Sequence, residues 1–473
     1  MSREKNLAKN TFIITVGKIS TQLITFFLLP LYTGILSTEE YGTIDLVNTL
    51  VILMTPIITF QVEQGTFRML VDARNNFFQQ KEIITSSIIS TIISIIVFTS
   101  VCLPISCWLG KSYWYFFILN VIATVECSLF MQIARGLDKN VIYAFSSFIV
   151  ALLAIVFNVI FLVVFQMRIN GMLLGTFLSQ VLGSVYLFFR LDLMKYIGRK
   201  SLQKKRILEL WKYSLPLVPN SISWWIFNSS DRIIVTAILG LSMNGILSAS
   251  HKFSSLYITT YNIFNITWTE SICIHINDKD IHDYYNRVFN TVLGLFFSIG
   301  MLIVSVMPFM YNILINSKYI DGYNLVPIHI CASMFNIILG LIGTVYVAKK
   351  NTKAVAYTSL ISAVINILVH ICLIKFIGLY AAPLSTLIAL AIMTFLRNKD
   401  ISTRYFKIAY NRKLIASSIV CFTIIVATYY CDSTFLHIIV IILSLVYCTV
   451  WSKEIVMKGL SMIKEKRFFG RKK

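Results

Sequence analysis

The chain has 473 residues, of which 57% are hydrophobic and 13% are charged, and its formal net charge is +21. Soluble domains carry about 25% charged residues, so this composition excludes a string of soluble domains. Apolar stretches recur from end to end, and most are long enough to cross a bilayer core of about 30 Å. Because lipid offers the backbone no hydrogen-bond partner and the stretches do not alternate in polarity, each crossing is predicted to be a helix. The predicted fold is therefore an all-α polytopic membrane protein.

Fourteen transmembrane helices are predicted in chain order. Their residues are 11–36, 41–65, 82–109, 113–134, 140–167, 171–189, 213–239, 245–271, 288–315, 323–347, 354–374, 379–396, 414–430 and 435–452. The first apolar segment is too long for the core of a signal peptide and has no cleavage site, so no cleavable signal is expected.

The longest predicted cytoplasmic connection divides the first twelve helices into two sets of six. We predict an N-terminal six-helix lobe, a basic amphipathic elbow, a C-terminal six-helix lobe, two additional helices and a basic tail. In that order these regions are 1–190, 191–212, 213–396, 397–452 and 453–473.

Each predicted lobe opens in a similar way, which favours an internal repeat. The sequence ILSTEEYG occupies 35–42, and ILGLSMNG occupies 238–245, with Ile-Leu and the final glycine at the same spacing. So short a match also arises by chance, but its position in each lobe favours a repeat. Repeats around a central site are typical of secondary transporters.

The distribution of basic residues orients the chain in the membrane. With the N-terminus inside, the outer loops hold four Lys and Arg residues and three more lie within helices, which leaves 35 of the 42 on the cytoplasmic side. This asymmetry follows the positive-inside rule. The sequence therefore predicts a multi-pass protein of the cytoplasmic (inner) membrane with both termini in the cytoplasm. The positive charge is explained by topology and inner-leaflet lipids, and no nucleic-acid partner is expected.

Features of an enzyme are missing from the sequence. The predicted outer loops are no longer than about nine residues, whereas polymerases of lipid-linked sugars need an external domain, and no phosphate-binding G-x-x-x-x-G-K-[ST] motif occurs. The nine cysteines do not form metal-ligand pairs. We expect neither catalysis, nor a metal, nor a cofactor.

Polar side chains recur at helical spacing inside three predicted helices. Those predicted to bind substrate are Thr15, Lys18 and Gln22 on the first helix, Trp224, Asn228 and Arg232 on the seventh, and Lys252, Ser255 and Asn262 on the eighth. A cation at the centre of a span costs at least about 2.5–3.5 kcal/mol, so three of them favour a hydrated cationic cavity. The alternative is that Asp231 neutralises Arg232 while Lys18 and Lys252 extend to the membrane surfaces.

Acidic residues and one further arginine have other predicted roles. Glu126 lies near the middle of the fourth helix, and it and Asp231 are candidates for ion or proton coupling. Arg68 is a topology anchor or a diphosphate contact at the inner mouth. Residues near predicted helix ends are interpreted as solvated or peripheral; these are Asp45, Glu63, Glu270, His329 and His370.

Two stretches resemble the polysaccharide flippases of the multidrug/oligosaccharidyl-lipid/polysaccharide exporter superfamily. They are LPLYTGILSTEEYGTIDLVNTL, after a polar-striped helix with an internal lysine, and NSSDRIIVTAILGLSMNGILSASHKFSSL. The resemblance implies two six-helix lobes around a central V-shaped cavity that opens alternately to each side. It also implies transport of a polyprenyl-diphosphate-linked glycan for capsule or O-antigen assembly, coupling to a proton or sodium gradient, and polysaccharide polymerase machinery as a partner.

Two other functions remain open from the sequence. A multidrug exporter of the same superfamily would need carboxylates in the cavity, whereas the polar stripes here carry cations. An integral-membrane glycan polymerase or transferase would need the external domain that the short loops exclude.

Overall fold

The computed structural model describes residues 26–198, 201–349 and 351–469, and no β-strand occurs among them. The described helices are α1 (Leu29–Ile35), α2 (Thr38–Thr59), α3 (Val62–Asp72), α4 (Phe77–Leu109), α5 (Ser112–Gly136), α6 (Asn140–Val159), α7 (Arg168–Arg190), α8 (Lys204–Ser214), α9 (Val218–Leu239), α10 (Leu241–His275), α11 (Ile281–Leu314), α12 (Val326–Ala348), α13 (Thr352–Ile377), α14 (Ala381–Arg404), α15 (Arg412–Tyr429) and α16 (Thr434–Phe469).

Ten stretches of the described residues are long and apolar enough to cross a membrane. One of them, Lys353–Arg404, contains both α13 and α14. The helices α9 and α10, with 22 and 35 residues, lie where the seventh and eighth spans were predicted. The all-α polytopic fold is thus confirmed. Most of the first predicted span lies outside the described residues.

The second predicted span, 41–65, is divided in the structure. The helix α2 begins at a capping box, in which the Glu40 amide donates to Ser37 Oγ (3.2 Å) and the Ser37 amide donates to Glu40 Oε2 (2.8 Å). It ends at Thr59, because Phe60 and Gln61 both adopt left-handed backbone conformations with φ of 49° and 58°. Its 22 residues measure about 33 Å, which suffices to cross the hydrocarbon core. The predicted span runs past the end of α2, although polar side chains follow the break at Gln61, Glu63 and Gln64.

Two compact units account for the packing, Met1–Ser248 and Ala249–Lys473. In the first unit, α3, α4, α5 and α7 share a core of fully buried side chains: Leu70, Ile84, Ile133 and Leu187. In the second unit, α11 and α12 contribute fully buried side chains: Phe289, Val304, Ile337, Leu341 and Tyr346. The predicted lobe boundaries stay a prediction.

The short helix α8 lies in the predicted basic elbow and is docked on the first unit. The Trp211 indole Nε1 donates to Ser90 Oγ at 2.7 Å, and its ring lies 5.4 Å from the ring of Phe60. Arg206 pairs with Glu82 (3.2 Å) and Glu209 (2.8 Å). These contacts fix one face of α8, while Leu208 remains exposed on the other.

Candidate functional site

The two repeat motifs contact each other directly in the first unit, where α2 crosses the start of α10. A Cβ atom placed on Gly42 would collide with the Leu241 carbonyl oxygen, and one placed on Gly245 would collide with the Thr38 carbonyl oxygen. The two collisions are reciprocal, since Thr38 and Leu241 hold matching positions in the two motifs. This reciprocal contact favours a true internal repeat over a chance match.

Polar contacts surround the crossing of the two glycines. The Asn244 side-chain amide donates to the Gly42 carbonyl oxygen at 2.9 Å, and the hydroxyls of Thr38 and Ser242 lie 2.6 Å apart. Close approach of two helix backbones is typical of small-residue packing in membranes. The crossing therefore brings into contact the N-terminal ends of α2 and α10, which correspond to the second predicted helix of each lobe.

A charged cluster lies next to this crossing. Asp45 accepts a hydrogen bond from Ser248 Oγ (2.7 Å), and its second carboxylate oxygen lies 2.9 Å from Arg232 Nε. Arg232 Nη1 is 3.8 Å from Asp231 Oδ1. The Arg232 and Asp45 side chains are only 14% and 17% exposed, so the pair is largely withdrawn from solvent and lipid.

The partner of Arg232 differs from the expected one. The sequence indicated the adjacent Asp231 as the counter-ion of Arg232, but the shorter ion pair of Arg232 is with Asp45 on α2. The interpretation of Asp45 as a solvated residue near a helix end was wrong. No local signal could identify this pair, because its members are far apart in the chain and meet only through the α2–α9 packing.

Other predicted site residues on α9 lie along the exposed part of the helix. Asn228 and Trp224 are exposed, and the Asn228 side chain donates to the Trp224 carbonyl oxygen at 2.7 Å. The Asn228 carbonyl oxygen in turn accepts from Arg232 Nη1 at 3.2 Å. An indole, an amide and a guanidinium therefore follow one another along two turns of α9.

The predicted residues of α10 and of the first helix are placed as follows. Lys252 and Ser255 are half-buried, the Ser255 hydroxyl donates to the Lys252 carbonyl oxygen (2.9 Å), and Asn262 is exposed. The remaining predicted binding residues lie outside the described residues; they are Thr15, Lys18 and Gln22.

The predicted coupling and inner-mouth residues differ in their surroundings. Glu126 is half-buried on α5 and has no ion-pair or hydrogen-bond partner among the residues that the structure describes. Arg68 forms an i, i+4 ion pair with Asp72, and its side chain is 49% exposed, which suits a topology anchor. Three further interpretations were wrong, because Glu63, His329 and His370 are buried, at 5%, 6% and 0% exposed. Their helices pack more deeply than hydropathy alone indicates.

The chain is similar in sequence to two curated proteins. An uncharacterised membrane protein of Methanocaldococcus jannaschii is 25% identical over 284 residues, which are 57% of this chain and 66% of that protein. A putative protein of the Lsg locus of Haemophilus influenzae is 22% identical over 288 residues, which are 59% of this chain and 65% of that protein. The chain therefore spans slightly less than two thirds of the length of these relatives.

Solved structures of low sequence identity share the fold. An inward-facing multidrug resistance MATE transporter of the MOP superfamily matches with a TM-score of 0.64 and 12% identity, over 82% of this chain and 98% of that one. The lipid II flippase MurJ in an inward closed conformation matches with a TM-score of 0.64 and 13% identity, over 95% and 99%. The fold is thus the one that these two transporters adopt.

A family model described as polysaccharide biosynthesis protein matches residues 7–269. This region contains both repeat motifs, both halves of the Asp45–Arg232 pair and all the predicted binding residues. Because the match covers more than half of the 473 residues, the chain belongs to the polysaccharide biosynthesis protein family.

Proposed function

We propose that the chain moves a polyprenyl-diphosphate-linked oligosaccharide from the cytoplasmic to the outer leaflet of the cytoplasmic membrane by alternating access. The glycan would then enter surface polysaccharide assembly, with polymerase machinery as the next partner. Family membership and the fold favour a transporter over an enzyme. The charge asymmetry of the sequence supports a cytoplasmic position for both termini.

The observation that carries the proposal is the largely buried guanidinium of Arg232, which lies on α9 beside Asn228 and Trp224. A guanidinium suits a phosphate oxygen, because charge-assisted hydrogen bonds are short and strong. An amide binds sugar hydroxyls and an indole ring packs on a sugar face. Asp45 keeps the guanidinium paired in the absence of substrate, and a diphosphate, with its greater charge, competes for it.

Export of multidrug cations is the second candidate, and one observation favours it. The described cluster contains two carboxylates, Asp45 and Asp231, and one guanidinium, so it carries an excess of negative charge that suits a cationic ligand. The sequence adds two cations to the predicted binding residues, Lys18 and Lys252, and their charge favours an anionic substrate. The balance between these charges therefore decides between the two functions.

Deletion of the gene with plasmid complementation tests the proposed substrate. We expect completed glycan repeat units on polyprenyl diphosphate to accumulate on the cytoplasmic side, with loss of the surface polymer. The measurement is cell fractionation followed by mass spectrometry of the lipid-linked glycans. Normal surface polymer together with altered sensitivity to cationic dyes would contradict the flippase and favour the exporter.

Alanine at Lys18 or Lys252 is expected to lower export of the glycan by about 10- to 150-fold, because each change removes a charge-assisted contact of about 1.5–3 kcal/mol. Export is measured as surface polymer per molecule of protein in the membrane. Lys111→Ala is the matched control, since Lys111 is exposed at the predicted outer end of α5. Normal export by both Lys18→Ala and Lys252→Ala would contradict the cationic site.

A further inference from the structure

An apolar groove lies within the second unit, away from the charged cluster. Its volume is about 810 Å³, and α11, α12, α14 and α15 line it. Most of the lining is apolar; Met301, Met334, Phe297 and Ile338 form part of it. Two lining side chains, Phe395 and Ile419, are 67% and 63% exposed. The groove is therefore of the size of a ligand pocket and opens at the exposed surface between α14 and α15.

One end of the groove is polar and cationic. Arg412, Asn398 and Tyr410 line it there, and the Tyr410 hydroxyl donates to Asn398 Oδ1 at 3.3 Å. Among the residues that the structure describes, the Arg412 side chain has no carboxylate within ion-pair distance. Arg412 is also the first residue of α15, where the helix dipole disfavours a cation. An anion at this end would offset both unfavourable effects.

The cationic end is held in a fixed geometry. The side chain of Asn290 donates to the Ala409 carbonyl oxygen (2.8 Å) and accepts from the Asn411 amide (2.8 Å). Asn286 accepts from the Ala409 amide at 2.9 Å. Asn411 in turn caps α15 by accepting from the amides of its first turn. The segment that carries Tyr410 and Arg412 is therefore preorganised for a ligand.

The length of the groove identifies the class of occupant. The lining residues on α15 run from Arg412 to Thr423, which at 1.5 Å per residue is about 16 Å. This is half of a bilayer core of about 30 Å, so the groove reaches from one membrane surface to the midplane. An acyl chain of one leaflet has this reach, and the single cationic end matches one headgroup.

We infer that this groove binds an anionic glycerophospholipid of the cytoplasmic leaflet. The headgroup phosphate lies against Arg412 with Tyr410 and Asn398 beside it, and an acyl chain lies along α15 towards Phe422. The leaflet follows from the basic residues at this end, which the sequence places on the cytoplasmic side. The tail of a transported lipid is a poorer match. Its headgroup must pass from one leaflet to the other, whereas this groove has a cation at one end only and so holds a headgroup in one leaflet. In setting the substrate tail aside, the inference rests on the proposed function.

Photolabelling of the full-length protein tests the site. The protein is reconstituted in phosphatidylcholine liposomes that contain a trace of phosphatidylglycerol with a photoactivatable acyl chain, or the same probe as phosphatidylcholine. We expect the anionic probe to label 391–398 and 412–423 about fivefold more than the neutral probe, since a cation near the surface contributes about 1 kcal/mol. Arg412→Gln is expected to abolish this preference, and Lys413→Gln, which removes a neighbouring exposed charge that does not line the groove, is expected to keep it.

Filling the groove gives a second measurement. Ala416 lines the groove and is exposed, so Ala416→Trp is expected to reduce labelling by both probes without disturbing the core. Equal labelling by the two probes, or a preference that survives Arg412→Gln, would overturn the site. Displacement of the anionic probe by an equimolar polyprenyl diphosphate would also overturn it and assign the groove to the substrate.

Discussion

Replacing Arg232 with glutamine is expected to lower the free energy of unfolding by about 3–5 kcal/mol, because the change leaves a partly buried Asp45 carboxylate without its counter-ion. The pair joins α9 to α2 at 2.9 Å, so its loss also loosens the contact between these two helices. Unfolding of the purified protein in detergent, followed by scanning fluorimetry and by denaturant titration, measures the effect.

The double variant Asp45→Asn with Arg232→Gln separates stability from transport. Since it removes both charges of the shorter pair but leaves Asp231, 3.8 Å from the Arg232 guanidinium, without a counter-ion, we expect only part of the lost stability to return. Export is expected to remain lost in this variant if Arg232 contacts the diphosphate. Arg68→Gln is the matched control, because its pair with Asp72 is exposed and such pairs contribute about 0–1 kcal/mol. A double variant as unstable as Arg232→Gln would contradict the ion pair, and one that exports normally would exclude Arg232 from the binding site.

Alanine at Gly42 or Gly245 is expected to destabilise the protein by about 1–3 kcal/mol, as overpacking does elsewhere. The sign is informative, because exchanging glycine for alanine inside a helix ordinarily stabilises by about 0.5–1 kcal/mol. Here the added methyl group meets backbone carbonyl oxygens, which cannot move aside as a flexible side chain can. The same unfolding measurements, together with surface polymer in complemented cells, detect the change.

Gly34 supplies the control for these two glycines. It lies in α1, and a Cβ atom there meets nothing within 4 Å, so Gly34→Ala is expected to be neutral or slightly stabilising. If Gly42→Ala behaved like Gly34→Ala, the two helices would not approach each other as closely as the structure indicates. Because the two collisions are reciprocal, the double variant of Gly42 and Gly245 is expected to lose more stability than either single variant.

The sequence predicts the membrane fold well because hydropathy over about 20 residues is a strong signal, and α4, α5 and α7 lie within a few residues of their predicted spans. It does not locate the break, since the two left-handed residues, Phe60 and Gln61, are neither glycine nor proline. The site is predicted in part. Arg232 and Asp231 stand out as charges inside a span, whereas Asp45 is recognised only when the packing of α2 on α9 is known.

Two further features could not be predicted from the order of residues. The repeat motifs are visible in the sequence, but similarity between two segments does not indicate that they touch. The groove is formed by apolar side chains from four helices, and no sequence pattern distinguishes these side chains from other apolar residues. In the sequence, Arg412 resembles any other basic residue on the predicted cytoplasmic side. Both features depend on contacts between distant segments.

The pair of left-handed residues after α2 has a consequence for the connection that leads to α9. In a continuous helix each residue is rotated by about 100° from the one before it, and the Phe60 side chain would point in another direction. With the break, the Phe60 ring packs against Trp211 of α8. With Trp211 also bonded to Ser90 on α4, the segment 204–217 acts as a rigid spacer rather than a flexible tether. A displacement of the start of α9 is therefore expected to be transmitted through Trp211 to Phe60 at the start of α3 and to Ser90 on α4.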